Sequence, residues 1–450
     1  MSRPKRYALT GMAVVVIVGL TAWFGFIAEP GPMAFAGDTR TALSDYRGSN
    51  PTGVPVSLAG ASLLVRGQYL ARAADCIACH TAPGGEAFAG GLAMRTPFGT
   101  LYSTNITPDR KSGIGNFTDA DFLRVLHEGI GPNGVRLYPV MPYEAYAYMT
   151  DADALAIKAY LFSLAPVHAV TPRDTLGFPY DQRWLMAFWQ ALYVPRKRFE
   201  PRPERSAEWN RGAYLAEALA HCGDCHTPRN RFEALDNHDK FSGAVATGWR
   251  AYNITADPRS GIGSWSEAAL AQYLLRGHAK DYGTASGTMG EVVDRSLSYL
   301  TPADIRAIVS YVRTVPAVPS PGEPAVRMTP AAVSYRDGVA AEFDPLGREV
   351  FEGACVSCHS WSGRSLLTSY ATLTGARAVN DPSATNVAQI VISGMTRRST
   401  AGPVIMPGFG AAYSDVEIAA VANYVTERFG AVGSSIQPQD IRRLKMQGEP

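Results

Sequence analysis

The hydrophobic pattern opens with one long unbroken run and then settles into short one-sided stripes. Residues 8–28 carry no charge and follow Arg3, Lys5 and Arg6. A helix needs roughly 20 such residues to cross a hydrocarbon core. Residues 1–30 therefore predict a signal-anchor helix, with its basic flank left on the cytoplasmic side. Ala34-Phe35-Ala36 resembles a small-residue cleavage site, so a removable signal peptide is the rival reading. The apolar run is longer than a usual signal core, and the Ala pair lies well beyond it, which favours the anchor. Residues 31–58 mix Gly, Pro, Ser and Asn without periodicity and read as a linker that lifts the rest off the membrane.

The stripes that follow repeat one plan. In residues 59–165, Leu64, Tyr69 and Leu70 fall at helical spacing. Thr118, with Asp121 three residues on, caps a helix whose apolar face is Phe122, Leu123, Val125 and Leu126, and Gly129 stops it. Tyr138–Tyr143 reads as extended, and Thr150 caps a closing helix with Leu155, Ile157, Tyr160 and Leu161 inward. Residues 206–315 restate this: Trp209, Tyr214 and Leu215, then a helix from Ser266 to Gly277. Asn253-Ile254-Thr255 echoes Asn105-Ile106-Thr107. These two runs also fit an N-glycosylation sequon, but the repeat explains them more simply. Residues 341–430 give a shorter third copy, closed by a helix from Ser414 to Phe429 in which Tyr424 takes the place of Tyr160 and Tyr311. The pattern predicts an all-α fold in three tandem units. Between them, residues 166–205 are too apolar for a free linker and predict a helix packed between the first two units or a contact with a partner or lipid. Residues 316–340 read as a Pro-rich linker, and 431–450 as a frayed polar tail.

Chemistry enters with the cysteines. All six lie in three runs: Cys76-Ile77-Ala78-Cys79-His80, Cys222-Gly223-Asp224-Cys225-His226 and Cys355-Val356-Ser357-Cys358-His359. On a helical turn, positions i, i+3 and i+4 share a face. Two thiols on that face can add to the vinyl groups of a porphyrin, and the adjacent His then meets the iron; C-x-x-C-H is the attachment run of a c-type haem. A zinc site needs four ligands, yet each Cys pair stands more than a hundred residues from the next and has its own His. Disulfides across three residues would close almost no loop. The reading is three covalent haems c, on Cys76, Cys79, Cys222, Cys225, Cys355 and Cys358. Thiols consumed this way suit an oxidising compartment. With 42 basic against 40 acidic residues, the net charge of +2 offers no field for nucleic acid.

The second axial ligand decides what such a haem does, and a Met thioether suits electron transfer. Met141 lies 61 residues after His80, and Met289 lies 63 after His226. Met406-Pro407 matches Met141-Pro142 and lies 47 after His359 in the shorter unit. The iron ligands expected are thus His80 with Met141, His226 with Met289 and His359 with Met406. Met94, Met149 and Met395 have no counterparts in the other units and read as core or loop residues. Each ligating imidazole needs its other nitrogen held, typically by a carbonyl; Pro97 is a candidate in the first unit.

At these residues the chain after the anchor resembles the tri-haem cytochrome c subunits of bacterial membrane-bound dehydrogenases. The similar segments are Tyr102-Ser103-Thr104-Asn105-Ile106-Thr107-Pro108, Tyr138-Pro139-Val140-Met141-Pro142-Tyr143, Trp209-Asn210-Arg211-Gly212 and, most specifically, Cys225-His226-Thr227-Pro228-Arg229-Asn230. The resemblance implies three class I-like cytochrome c domains with Met/His-ligated haems on the periplasmic face of the inner membrane. It implies a dehydrogenase catalytic subunit (quinoprotein, flavoprotein or molybdenum enzyme) as electron donor and ubiquinone or a terminal oxidase as acceptor. No nucleophile-base pair or Gly-rich cofactor loop stands out, which fits a subunit without its own catalytic site. The alternatives are a peroxidase-like haem enzyme, which needs an open iron position, and a soluble shuttle cytochrome, which an anchor disfavours.

Overall fold

The structure, a computed structural model, describes residues 29–320, 344–399 and 402–448. The expected N-terminal helix and most of the 316–340 linker lie outside the described residues. Among the described residues, no helix is long and apolar enough to cross a membrane.

A leading helix crosses a closing helix three times: Leu63–Ala73 on Asp151–Phe162, Ala207–Tyr214 on Pro302–Val312, and Pro345–Val350 on Asp415–Phe429. One small residue sets each crossing. A Cβ on Gly67 would stand 1.9 Å from the carbonyl oxygen of Ala156; on Gly212, 1.8 Å from that of Ala307; on Gly347, 2.3 Å from that of Ala420. Only glycine lets the backbones meet this closely. The aromatic residue four positions after each of these alanines, Tyr160, Tyr311 or Tyr424, covers the same glycine. The helix starts follow from their caps. Thr118 Oγ1 accepts from the Asp121 N–H while the Asp121 carboxylate accepts from the Thr118 N–H, a complete capping box, and Ser414 and Glu417 repeat it.

The scaffold is helix-rich, but among the described residues four two-stranded antiparallel pairs depart from the all-α expectation: Ala93–Thr96 with Gly99–Tyr102, Ala244–Ala246 with Trp249–Ala251, His278–Ala279 with Gly283–Thr284, and Met395–Ser399 with Gly402–Met406. Strands of two to five residues are too short to show a readable alternation.

Apolar packing divides the molecule. One continuous core joins the first two units, with Leu70, Ile157, Tyr214, Leu219 and Ile308 all buried. The third unit has a separate core around Phe351, Val421, Tyr424 and Phe429. Two expectations change here. The 31–58 segment is packed rather than free. Met33 is buried, the guanidinium of Arg202 donates to its carbonyl at 3.1 Å, and Phe35 packs on Tyr311. The tail is a helix, Pro438–Gly448, whose buried Ile441 and Leu444 seat it on the third unit. Two apolar residues at helical spacing were enough, although the surrounding charges hid them. The 166–205 connector contains the helix Met186–Tyr193 and joins the first two units. Gln190 donates to the Gly129 carbonyl at 2.9 Å, and Trp189 Nε1 to the Phe232 carbonyl at 2.7 Å. Its other face leaves Trp184 and Phe188 exposed.

Candidate haem-binding sites

Each Cys run forms one helical turn at the end of its leading helix: Cys76–Cys79 with His80 as its C-cap, Gly223–His226 with Cys222 as its N-cap, and Val356–His359 with Cys355 as its N-cap. None of the six thiols is in a disulfide. Burial pushes Cys76, Cys79 and Cys222 up to about 12, and Cys225 and Cys355 to about 11.

The imidazoles are set alike. His80 Nδ1 donates to the Thr104 carbonyl at 2.6 Å, His226 Nδ1 to the Tyr252 carbonyl at 2.6 Å, and His359 Nδ1 to the Ala371 carbonyl at 2.7 Å. A carbonyl can only accept, so the proton sits on Nδ1 and the Nε2 lone pair is left for a metal. Burial also lowers the pKa of all three rings, which keeps them neutral and able to ligate. The Pro97 carbonyl suggested by the sequence is not the partner in the first unit; Thr104 is.

The Asn-x-Thr echo explains that choice. Asn105 Oδ1 accepts from the Thr107 N–H and hydroxyl at 2.9 and 2.7 Å, while its Nδ2 donates to the Val167 carbonyl at 2.7 Å. Asn253 does the same with Thr255 and Val318. Each turn fixes the carbonyl just before it, which is the one holding the histidine of the Cys run. Asn105 and Asn253 are 1% and 3% exposed, so these asparagines are brackets and not glycan acceptors. The third unit lacks the motif; a short helical turn, Ser369–Ala371, supplies the carbonyl.

The candidate thioethers differ in setting. Met141 follows a turn and borders the same apolar core as Cys76, and Met289 lies on the helix Gly287–Arg295 and borders it with Cys222. In the third unit a single cavity brings together Cys355, His359, Met406, Phe351, Val387 and Met395. Met395 reads from the sequence as a core or loop residue, yet it is the direct cross-strand partner of Met406 and shares its face of the hairpin. Hairpin register carries that signal, and no unit-to-unit comparison contains it. Met149 is fully buried core.

These residues fit a covalent porphyrin: paired thiols on one face of a turn, a neutral imidazole with its lone pair free, apolar walls and, in the third unit, a thioether in the same cavity. The first two Cys turns also lie close together. After burial, the next influences raising Cys79 are Asp75 and Cys225.

Known proteins give the same answer. A family model described as cytochrome c matches residues 346–428. The cytochrome subunit of fructose dehydrogenase from Gluconobacter japonicus is 37% identical over 403 residues, covering 85% of this chain and 83% of that protein. The cytochrome c subunit of gluconate 2-dehydrogenase from Pantoea cypripedii is 37% identical over 402 residues, covering 85% and 90%. A nicotinate dehydrogenase subunit from Pseudomonas putida is 40% identical over 412 residues, and there the match takes in 91% of this chain but 34% of the larger relative. The chain is therefore a c-type cytochrome that belongs to the family of cytochrome c subunits of dehydrogenases. Membership implies covalent haem c and a role in electron transfer.

Proposed function

We propose that the chain carries three covalent haems c and passes electrons from a dehydrogenase catalytic subunit to ubiquinone or a terminal oxidase. Its three units act as tandem cytochrome c domains on the periplasmic face of the inner membrane, held there by residues 1–30. The observation that carries this reading is the threefold recurrence of one device: a Cys turn whose histidine has Nδ1 locked to a carbonyl.

Haem iron cycles between ferric and ferrous and so handles one electron at a time, whereas substrate oxidation releases two. The chain's own residues supply attachment, ligation and exclusion of water. Cys76 and Cys79, Cys222 and Cys225, and Cys355 and Cys358 would anchor the three porphyrins. His80, His226 and His359 would ligate from one side and Met141, Met289 and Met406 from the other. Thr104, Tyr252 and Ala371 hold the rings in the ligating orientation. A thioether ligand would raise the reduction potential and keep outside ligands from the iron, which disfavours a peroxidase-like role.

Peptide mass spectrometry should find haem on three peptides, one per Cys run, and the reduced protein should not bind carbon monoxide. Fewer than three attached haems overturns the reading. Leucine at Met141, Met289 or Met406 should lower one midpoint potential without loss of attachment. In the third unit, comparing Met406→Leu with Met395→Leu decides which thioether binds, since only the ligand's loss moves that midpoint.

A further inference from the structure

The first two units brace the carbonyl that holds their histidine with the next residue in the chain, Asn105 or Asn253, and the third unit has no such asparagine. Its carbonyl belongs to Ala371, at the end of the turn Ser369–Ala371. Within the third unit that turn is tied by Thr368, whose carbonyl and hydroxyl accept from the N–H groups of Ala371 and Tyr370 at 3.2 and 3.4 Å. Further contacts reach it from the second unit.

They come from the hairpin of His278–Ala279 with Gly283–Thr284, whose tip is seated on the third unit. A Cβ on Gly375 would stand 2.4 Å from the Asp281 carbonyl oxygen, and one on Gly283 would stand 3.2 Å from Ala376. Gly375 also has a φ of +82°, so glycine is required there on both counts. Thr284 of the second unit lines the cavity of His359 and Met406 together with Tyr370, Ala371 and Ala376. The third unit's cavity is thus closed in part by its neighbour.

The polar atoms form one consistent chain. Thr284 Oγ1 donates to the Tyr370 carbonyl at 3.3 Å. Its hydrogen is spent there, so the 3.0 Å contact with His278 Nδ1 needs the proton on the ring. His278 Nε2 then carries the lone pair and accepts from the Ser369 hydroxyl at 2.9 Å. The same ring stacks on Tyr370, with centroids 4.1 Å apart. His278 is buried, and burial lowers the pKa of its ring, which keeps Nε2 an acceptor. The first unit has Ile130 at this place, directly after the helix-ending Gly129. The imidazole stands where a turn of another unit has to be held.

We propose that the second unit supplies, across the junction, the brace that the third unit lacks, with His278 and Thr284 as positioning residues for the His359 imidazole. The proposal rests on the reading of His359 as an axial ligand. Both residues act through the Ser369–Ala371 turn. Held in place, the Ala371 carbonyl accepts from His359 Nδ1 at 2.7 Å, which orients the ring and strengthens Nε2 as a ligand. A loosened turn weakens that ligand and favours the ferrous form.

The test uses the full-length chain with its dehydrogenase, redox titration, and electron paramagnetic resonance of the oxidised haems. The third midpoint is identified as the one that leucine at Met406 or Met395 moves. His278→Phe keeps a ring on Tyr370 but deletes both nitrogens. It should raise the third midpoint and change the third set of g values, shifting that haem's ferric–ferrous ratio by up to tenfold, or about 59 mV for one electron. Thr284→Val should act in the same direction and less, while Thr284→Ser, which keeps the hydroxyl, should match the wild type. The first and second midpoints should stay fixed. A His278→Phe protein with three attached haems and an unmoved third midpoint overturns the brace while leaving the electron-transfer reading intact, and so does an equal shift of all three midpoints. A wild-type chain with no haem on Cys355 and Cys358 overturns both. Should His278→Phe fail to fold, the two Thr284 variants decide, and identical third midpoints in them overturn the brace.

Discussion

The junction between the first and second units and the junction between the second and third are built on opposite principles. The first is a near-symmetric exchange. Tyr69, on the leading helix of unit one, donates to Asp304 on the closing helix of unit two at 2.6 Å; Tyr214 of unit two donates to Asp153 of unit one at 2.5 Å. Each tyrosine oxygen also accepts from the N-cap amide of the helix it reaches, Thr301 or Thr150. The helix bearing Met289 packs on the Cys76–Cys79 turn, and Tyr146, just past Met141, packs its ring edge-on to His221 beside the second Cys run. The two units thus share one core and brace each other's Cys turns.

The second junction joins separate cores through groups that support the candidate ligands. Arg397, on the third unit's hairpin, donates to the Gly290 carbonyl at 2.9 Å and pairs with Asp294 at 3.0 Å, on the helix that bears Met289. His278 of unit two stacks on Tyr370 and contacts the Ser369 hydroxyl at 2.9 Å, in the turn whose Ala371 holds His359. Tyr252, whose carbonyl holds His226, sends its phenol to Asp381 of unit three at 3.2 Å. Breaking the first junction should therefore cost stability, and breaking the second should disturb ligation at modest cost in stability.

The largest effect is expected from Asp304→Ala. Asp304 takes both arms of Arg211 at 2.9 and 2.7 Å; its own side chain is buried and that of Arg211 is largely covered. Removing it strands the guanidinium and the Tyr69 hydroxyl, so denaturant titration should show a loss of about 3–5 kcal/mol. Asp75→Asn should act in the other direction. Asp75 is buried at the same junction, one oxygen has no partner, and burial pushes its carboxyl up to about 8 despite Arg295 and Arg72. The folded state holds a proton that the unfolded chain releases near pH 4, so the protein loses stability as pH rises from there through about 8. Melting curves across that range should slope downward in the wild type. The amide should flatten them, with a gain on the order of 2 kcal/mol or more at pH 8.

Arg397→Met tests the second junction. It removes a charge-assisted bond worth about 1.5–3 kcal/mol, but its distinctive signature is redox: the second unit's midpoint should fall while the first unit's stays fixed. Tyr252→Phe should be mildest. It deletes only the 3.2 Å bond to Asp381, which keeps the Ser383 N–H and the Arg250 guanidinium, so stability should change by about 0.5–1.5 kcal/mol. If that variant nevertheless moved the second midpoint as far as Arg397→Met, the interface would tune ligation through Tyr252 as well.

This contrast also separates what could be read in the sequence from what could not. Local rules located the capped helices, the Cys turns and the repeat, because Thr118 with Asp121, or Ser414 with Glu417, act within one turn of chain. The Asn-Ile-Thr echo marked the right place, but its purpose needed the His80 and His226 contacts. Tyr69 with Asp304 and Arg397 with Gly290 join residues 235 and 107 positions apart, with no local pattern to announce them. Met395 stayed hidden because the strand register that pairs it with Met406 is a tertiary choice, and the tail helix because two buried residues are a faint stripe.

The tyrosine exchange has a consequence for synthesis. A growing chain that has emerged only through residue 165 already holds its first Cys run, yet the amide of Thr150 and the carboxylate of Asp153 still wait for Tyr214. The closing helix of the first unit thus gains these partners only when the second unit arrives. Shortened versions ending between the two should mature poorly, even though each contains a whole attachment sequence.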